Sequence, residues 1–160
     1  MTRKREYATV LLVLAIAGGI AWWAFGRTWR IETIPSDGLT AAKDIEYTGR
    51  LLYPYASFIG IVALASVAGI LATRKYGRII IGVLLAILAG SAAVQLITDS
   101  GPTGWALIAE IALIVITIAG AATVVRGGSW PMFGSKYERT KPKEAESAWD
   151  VLDRGEDPTA

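Results

Sequence analysis

The sequence predicts an all-α membrane protein: a four-transmembrane-helix bundle, a small extracytoplasmic β-hairpin between helices 1 and 2, and a mostly disordered cytoplasmic tail. Three observations carry that expectation. Four apolar runs reach the roughly 20 helical residues that a bilayer core demands. Lysine and arginine crowd some connections and avoid others, as in multi-pass proteins. And 53% of the 160 residues are hydrophobic against 19% charged, too apolar a balance for a water-exposed surface around an ordinary domain.

Residues 1–6, "MTRKRE", form a basic cytoplasmic N-terminus, and residues 7–126 form the transmembrane domain. The first span, 7–25, reads "YATVLLVLAIAGGIAWWAF". Its basic prefix resembles the start of a signal peptide. The apolar run is longer than a signal core and ends in two tryptophans, so an uncleaved helix is expected. The extracytoplasmic loop 26–53 is too long for a tight turn. "TWRIETI" alternates Trp29, Ile31 and Thr33 against Arg30, Glu32 and Ile34, and "DIEYTG" is similarly strand-like. A lone hairpin is marginal in water, so this one must pack on the helix ends or on a partner; an irregular polar loop is the alternative reading.

The second span, 54–73, opens with Pro54, which suits a first helical turn. The third, 79–98, and the fourth, 105–125, flank the short turn "DSGPTG". That turn carries no Lys or Arg, whereas Arg74, Lys75 and Arg78 crowd the turn before span three. Arg3, Lys4 and Arg5 precede span one; Arg126, Lys136, Arg139, Lys141 and Lys143 follow span four. This asymmetry predicts that both termini are cytoplasmic. Aromatic anchors agree: Trp22, Trp23, Trp29, Tyr53, Tyr55 and Trp105 fall at the outer boundary, and Tyr7, Tyr76 and Trp130 at the inner one.

Small residues recur at spacing four: Ala56 with Gly60, Ala65 with Gly69, and Gly82, Ala86 and Gly90. Such stripes let helix backbones approach closely in lipid. They predict packing within the chain's own bundle, with a homo-oligomer as the alternative use. No span holds a mid-helix proline and no internal repeat is visible, which argues against a transporter built on broken helices.

The chain has no Cys and no His. Disulfides, thiolate nucleophiles, imidazole bases, Cys/His zinc sites and the usual haem ligands are therefore excluded. No catalytic constellation, metal or cofactor is expected, and a net charge of +2 gives no sign of a nucleic-acid partner.

The candidate intramembrane polar site centres on Glu110, five residues inside Trp105 and so about 7–8 Å down its helix. That depth is well short of the midplane, and helical side chains lean toward their own N-terminus, here toward outside water. A snorkelling or paired glutamate is the ordinary reading. Arg27 and Arg50 stand on the same side as candidate partners, with Gln95 and Asp99 near the end of span three. The functional reading is a proton-linked or cation-binding group in an outward vestibule.

The tail, 127–160, turns polar at Gly127. "RGGSWPMFGSKYERTKPKE" should hug the inner surface through Trp130, Phe133 and Tyr137, its basic residues near anionic lipid. A short amphipathic helix at about 148–154 carries an S-x-x-D cap from Ser147 to Asp150, and Trp149 and Leu152 share its face. A helix so short needs a surface to fold against. Trp149 and Leu152 are the candidate docking residues for a membrane or cytoplasmic protein partner.

"YTGRLLYP", "GIVALASVAGILATRKYGRIIIGVLLAILAG", "RGGSWPMFGSKYER" and "AWDVLDRGEDPT", in that order from Thr48 to Thr159, resemble the tryptophan-associated transmembrane protein family. The chain departs from the family's tail pattern at Phe133, where a Met is common. The resemblance implies a four-helix plasma-membrane protein without established activity, linked to tryptophan metabolism through its genomic neighbours in actinobacteria; it supplies no functional residues. Together these features predict a non-enzymatic scaffold or accessory protein. The alternative is a small carrier or exporter of tryptophan or a related aromatic metabolite.

Overall fold

The computed structural model describes residues 3–35, 38, 42–99 and 104–130. In chain order these form α1 (Arg3–Phe25), β1 (Thr28–Ile34), β2 (Lys43–Thr48), a one-turn α2 (Gly49–Leu52), α3 (Pro54–Ala72), α4 (Lys75–Asp99) and α5 (Gly104–Arg126). A 3-10 turn, Gly127–Ser129, follows α5. The four long helices are apolar and long enough to cross a membrane. The hairpin expected between the first two is present, as a two-stranded antiparallel sheet. The tail helix expected near 148–154, with Trp149 and Leu152, lies outside the described residues, as do Phe133 and Tyr137.

Helix limits differ from the apolar runs in an instructive way. α1 begins at Arg3 rather than Tyr7, and α4 at Lys75 rather than Ile79. Hydropathy marks what sits in hydrocarbon; the helix itself runs on through polar turns, where backbone bonding still favours it. Pro54 occupies the first turn of α3, where its missing N–H costs nothing.

α1 packs against both α3 and α5, and α4 against α5, while α3 and α4 meet more loosely. Small residues make up much of the interior: Ala17, Ala21, Ala63, Ala89 and Ala109 are buried beside Leu14, Ile59, Leu85 and Leu113, while Leu12, Phe58, Ile87 and Ile118 are exposed. Lipid is as apolar as leucine, so large side chains gain nothing by turning inward. Close backbone packing is what holds such helices together.

That packing is tightest at two glycine pairs. A Cβ on Gly60 would lie 2.8 Å from both the Gly18 carbonyl oxygen and the Trp22 nitrogen, and one on Gly18 would lie 2.9 Å from the Gly60 oxygen. The same reciprocity joins α4 to α5. A Cβ on Gly82 would lie 2.9 Å from the Gly120 oxygen, and one on Gly120 would lie 3.0 Å from the Gly82 oxygen. Gly60 and Gly82 belong to the stripes seen in the sequence; their partners Gly18 and Gly120 do not. Ala65 of the same stripe is exposed.

The hairpin is rooted by Trp29. Register runs from Ile34 opposite Lys43 to Arg30 opposite Tyr47, then slips, so that Thr28 faces Thr48. Trp29 is the extra residue of this bulge, and a bulge re-aims a side chain. Its indole turns inward, is buried, stacks on Phe25 at 5.1 Å and meets Tyr53 at 5.7 Å. Gly49 lies flat against the ring, where any Cβ would overlap it. Beyond the bulge Ile31 and Ile34 are exposed, so the expected alternation buries one residue rather than a face.

Two substitutions test the crossings. Gly60→Ala and Gly82→Ala push a methyl into opposing backbone, and each should cost about 1–3 kcal/mol in unfolding experiments on the micelle-bound protein. Gly19→Ala, with no neighbouring atom within 4 Å, should leave stability unchanged or slightly raised.

Candidate functional site

Polar chemistry gathers at the two ends of the bundle. At the hairpin end it begins with the last turn of α1, whose final carbonyls have no partner within the helix. Those of Trp22, Trp23 and Ala24 find one nearby. Arg50 donates through Nη2 to the Trp22 oxygen at 3.2 Å. The Gly26 N–H donates to the Trp23 oxygen at 3.1 Å. The Ala24 oxygen accepts from the Arg27 N–H at 3.1 Å and from the Trp29 indole at 3.0 Å. The guanidinium of Arg50 also lies over the Trp22 ring at 3.7 Å, a cation on an aromatic face beside a helix C-terminus.

Arg27 makes a second such arrangement. Its guanidinium carbon lies 4.4 Å from the Trp23 ring centre and 5.7 Å from that of Trp105. Those indoles meet edge to face at 5.0 Å, joining α1 to α5. The two arginines expected to stand near Glu110 are thus both held on tryptophans.

Glu110 is half-buried on α5. Among the described residues it forms no ion pair or hydrogen bond, so the structure does not join it to Arg27, Arg50, Gln95 or Asp99. Gln95 and Asp99 are four residues apart on α4, and both are exposed. Glu110 stands two helical turns from Thr117, which packs beside Gly90 of α4. It therefore belongs to the α4 side of α5.

The apolar groove of the bundle lies on another side. It runs between Val13, Ile16 and Ile20 of α1 and Ile108, Ile111 and Val115 of α5, with Ala17 and Ala112 also lining it, and holds about 410 Å³. Ile108 and Glu110 are two residues, or about 200° of helical rotation, apart. The groove and the carboxylate do not form one site.

At the opposite end Arg78, at 1% exposure, is buried. Its Nε donates to the Ile70 oxygen at 3.1 Å and its Nη1 to the Trp130 oxygen at 3.3 Å. The guanidinium also lies 5.1 Å from the Tyr7 ring centre, and Tyr7 meets Trp130 at 5.3 Å. One side chain thereby links α1, the end of α3, the start of α4 and the turn after α5. An arginine suits this place because it stays charged and presents donors in several directions. The Tyr7 hydroxyl and the Trp130 indole N–H are buried there, with no hydrogen-bond partner among the described residues. Nearby, Arg126 at the end of α5 pairs with Glu6 in the first turn of α1 at 3.4 Å, each charge favoured by its own helix dipole.

In the sequence Arg78 stands out only as a marker of orientation, and Trp130 as an anchor at the inner boundary. Trp130 is instead enclosed by the bundle, because its carbonyl and ring complete the Arg78 pocket. A signal for Arg78 was available: Arg78, Gly82, Leu85, Ala89 and Leu96 recur at the three-to-four spacing of one buried helix face.

The profile of one family, described as tryptophan-associated transmembrane protein, matches residues 11–100 and 89–159. No curated protein and no solved structure matches the chain.

Replacing Arg78 by Gln should destabilise the bundle by about 2–4 kcal/mol, since carbonyls at two helix ends lose a charged donor. Arg74→Gln, at an exposed position of the same turn, should change stability by less than about 0.5 kcal/mol. Unfolding midpoints of the two variants in micelles make the comparison.

Proposed function

Because the chain belongs to the tryptophan-associated transmembrane protein family, a family of multi-pass membrane proteins, we propose that it is a non-enzymatic scaffold or accessory protein of the plasma membrane, serving tryptophan metabolism. The observation that carries this reading is the closed interior. α1 meets α3, and α4 meets α5, backbone to backbone at glycine pairs, and the described groove is apolar and lies away from Glu110. A bundle of this kind suits a platform that holds its shape. In this reading the tail supplies the docking element, and Trp149 and Leu152 are its candidate contacts for a membrane or cytoplasmic partner. The distribution of Lys and Arg supports both termini lying in the cytoplasm.

One observation favours a second reading, a small carrier for tryptophan or a related aromatic metabolite. Glu110 is half-buried within a span and makes no ion pair or hydrogen bond among the described residues, and intramembrane acids commonly serve transport.

Three experiments separate the readings and check the orientation. Purified protein in vesicles should give no proton-linked flux of tryptophan or its precursors, while in cells a defined cross-linked complex should vanish on deleting residues 145–160 and weaken in Trp149→Ala. Flux that disappears in Glu110→Gln would establish the carrier instead. The chain has no native cysteine, so single introduced thiols report topology cleanly. In intact cells a membrane-impermeant maleimide should label Asp37→Cys and leave Lys141→Cys unlabelled.

A further inference from the structure

The groove between α1 and α5 has chemistry of its own. Its walls are aliphatic from Val13 to Ile20, seven residues or about 10 Å of helix. At about 410 Å³ it exceeds ten times the ~30 Å³ that a water molecule occupies in the liquid, yet it offers water nothing to bond. It lies along two membrane-spanning helices, so hydrocarbon is the filling that fits.

The hairpin end of the groove is where it becomes selective. Trp23 and Trp105 lie one turn beyond Ile20 and Ile108, and their edge-to-face contact bridges the same two helices. Arg27 rests on both rings. It is exposed, and among the described residues its guanidinium has no hydrogen-bonding or ion-paired protein acceptor. Its planar N–H donors are therefore held beside the groove mouth, at the level where tryptophans mark the membrane interface. Arg50 differs: one of its donors is already given to the Trp22 oxygen. A planar fork of donors above an apolar channel matches a phosphate diester above an acyl chain.

We propose that this groove is the site of one anionic phospholipid in the leaflet at the hairpin end. An acyl chain lies between Ile16, Ile20, Ile108 and Ile111, and the phosphate is bound by Arg27. The proposal rests neither on the scaffold nor on the carrier reading.

Native mass spectrometry of the full-length protein, titrated in micelles with phosphatidylglycerol and with phosphatidylcholine of the same chains, tests it. The protein should retain one phosphatidylglycerol with about tenfold preference, because the choline ammonium of phosphatidylcholine offsets the charge that its phosphate presents to Arg27. Arg27→Gln should abolish the preference, and Arg27→Lys, which keeps the charge without the planar fork, should keep only part of it. Arg30→Gln, an exposed arginine on the hairpin, should leave it intact. Ile111→Trp, which fills the groove from its rim, should weaken retention of both lipids, and inorganic phosphate should displace neither. An unchanged preference in Arg27→Gln, or displacement by free phosphate, overturns the proposal. So does disulfide cross-linking of Ile16→Cys between two copies under the same conditions, which would assign the groove to a second chain.

Discussion

Backbone touching backbone at Gly18 with Gly60, and at Gly82 with Gly120, is the constraint on which the other contacts depend. In water, burying large apolar side chains would drive helices together; in hydrocarbon that force is absent, and contact at short range replaces it. The first crossing fixes the end of α1, so that Arg50 and Trp29 can reach its last carbonyls. The second seats α5 on α4, bringing the turn after α5 over Arg78. An added methyl at either pair would separate helices whose ends are tied by contacts with little slack.

The ends of the bundle use cations in an economical way. Among the described residues, Arg27, Arg50 and Arg78 all rest on aromatic faces, and two of them also donate to backbone carbonyls. The carbonyls concerned include those at the C-terminal ends of α1 and α3, where the helix dipole attracts positive charge. Arg50 and Arg78 tie helices together through carbonyls and ring faces, contacts that place no second ion against the cation. The carboxylate that is present inside a span, Glu110, sits apart from them.

Much of this fold was legible in the sequence because bilayer thickness is a blunt ruler. Four long apolar runs required four spans, and the strand-like text around Trp29 and Ile45 pointed to a hairpin, with an irregular polar loop as the alternative. Pairing was less visible. Gly60 and Gly82 stood in obvious small-residue stripes, but Gly18 is followed by another glycine and Gly120 is flanked by alanines, so neither stood out as a partner. The bulge that turns Trp29 inward depends on a one-residue slip against β2, which alternation alone does not encode. Around Glu110 the sequence could place nearby arginines on the same side, but not reveal that tryptophan faces would claim them. Distance along a chain says little about which of two attractive partners a flexible guanidinium takes.

The glycine pairs lie inside one chain, and dipolar-recoupling NMR on isotope-labelled protein in bilayers reads them directly. Through-space contacts are expected between the Gly60 backbone and the Gly18 carbonyl, and between the Gly82 backbone and the Gly120 carbonyl. Both should survive dilution with unlabelled chain. Contacts that fade on dilution, or fail to appear while the helices remain intact, would mean that these glycines face lipid or another copy, and the packing described above would be wrong.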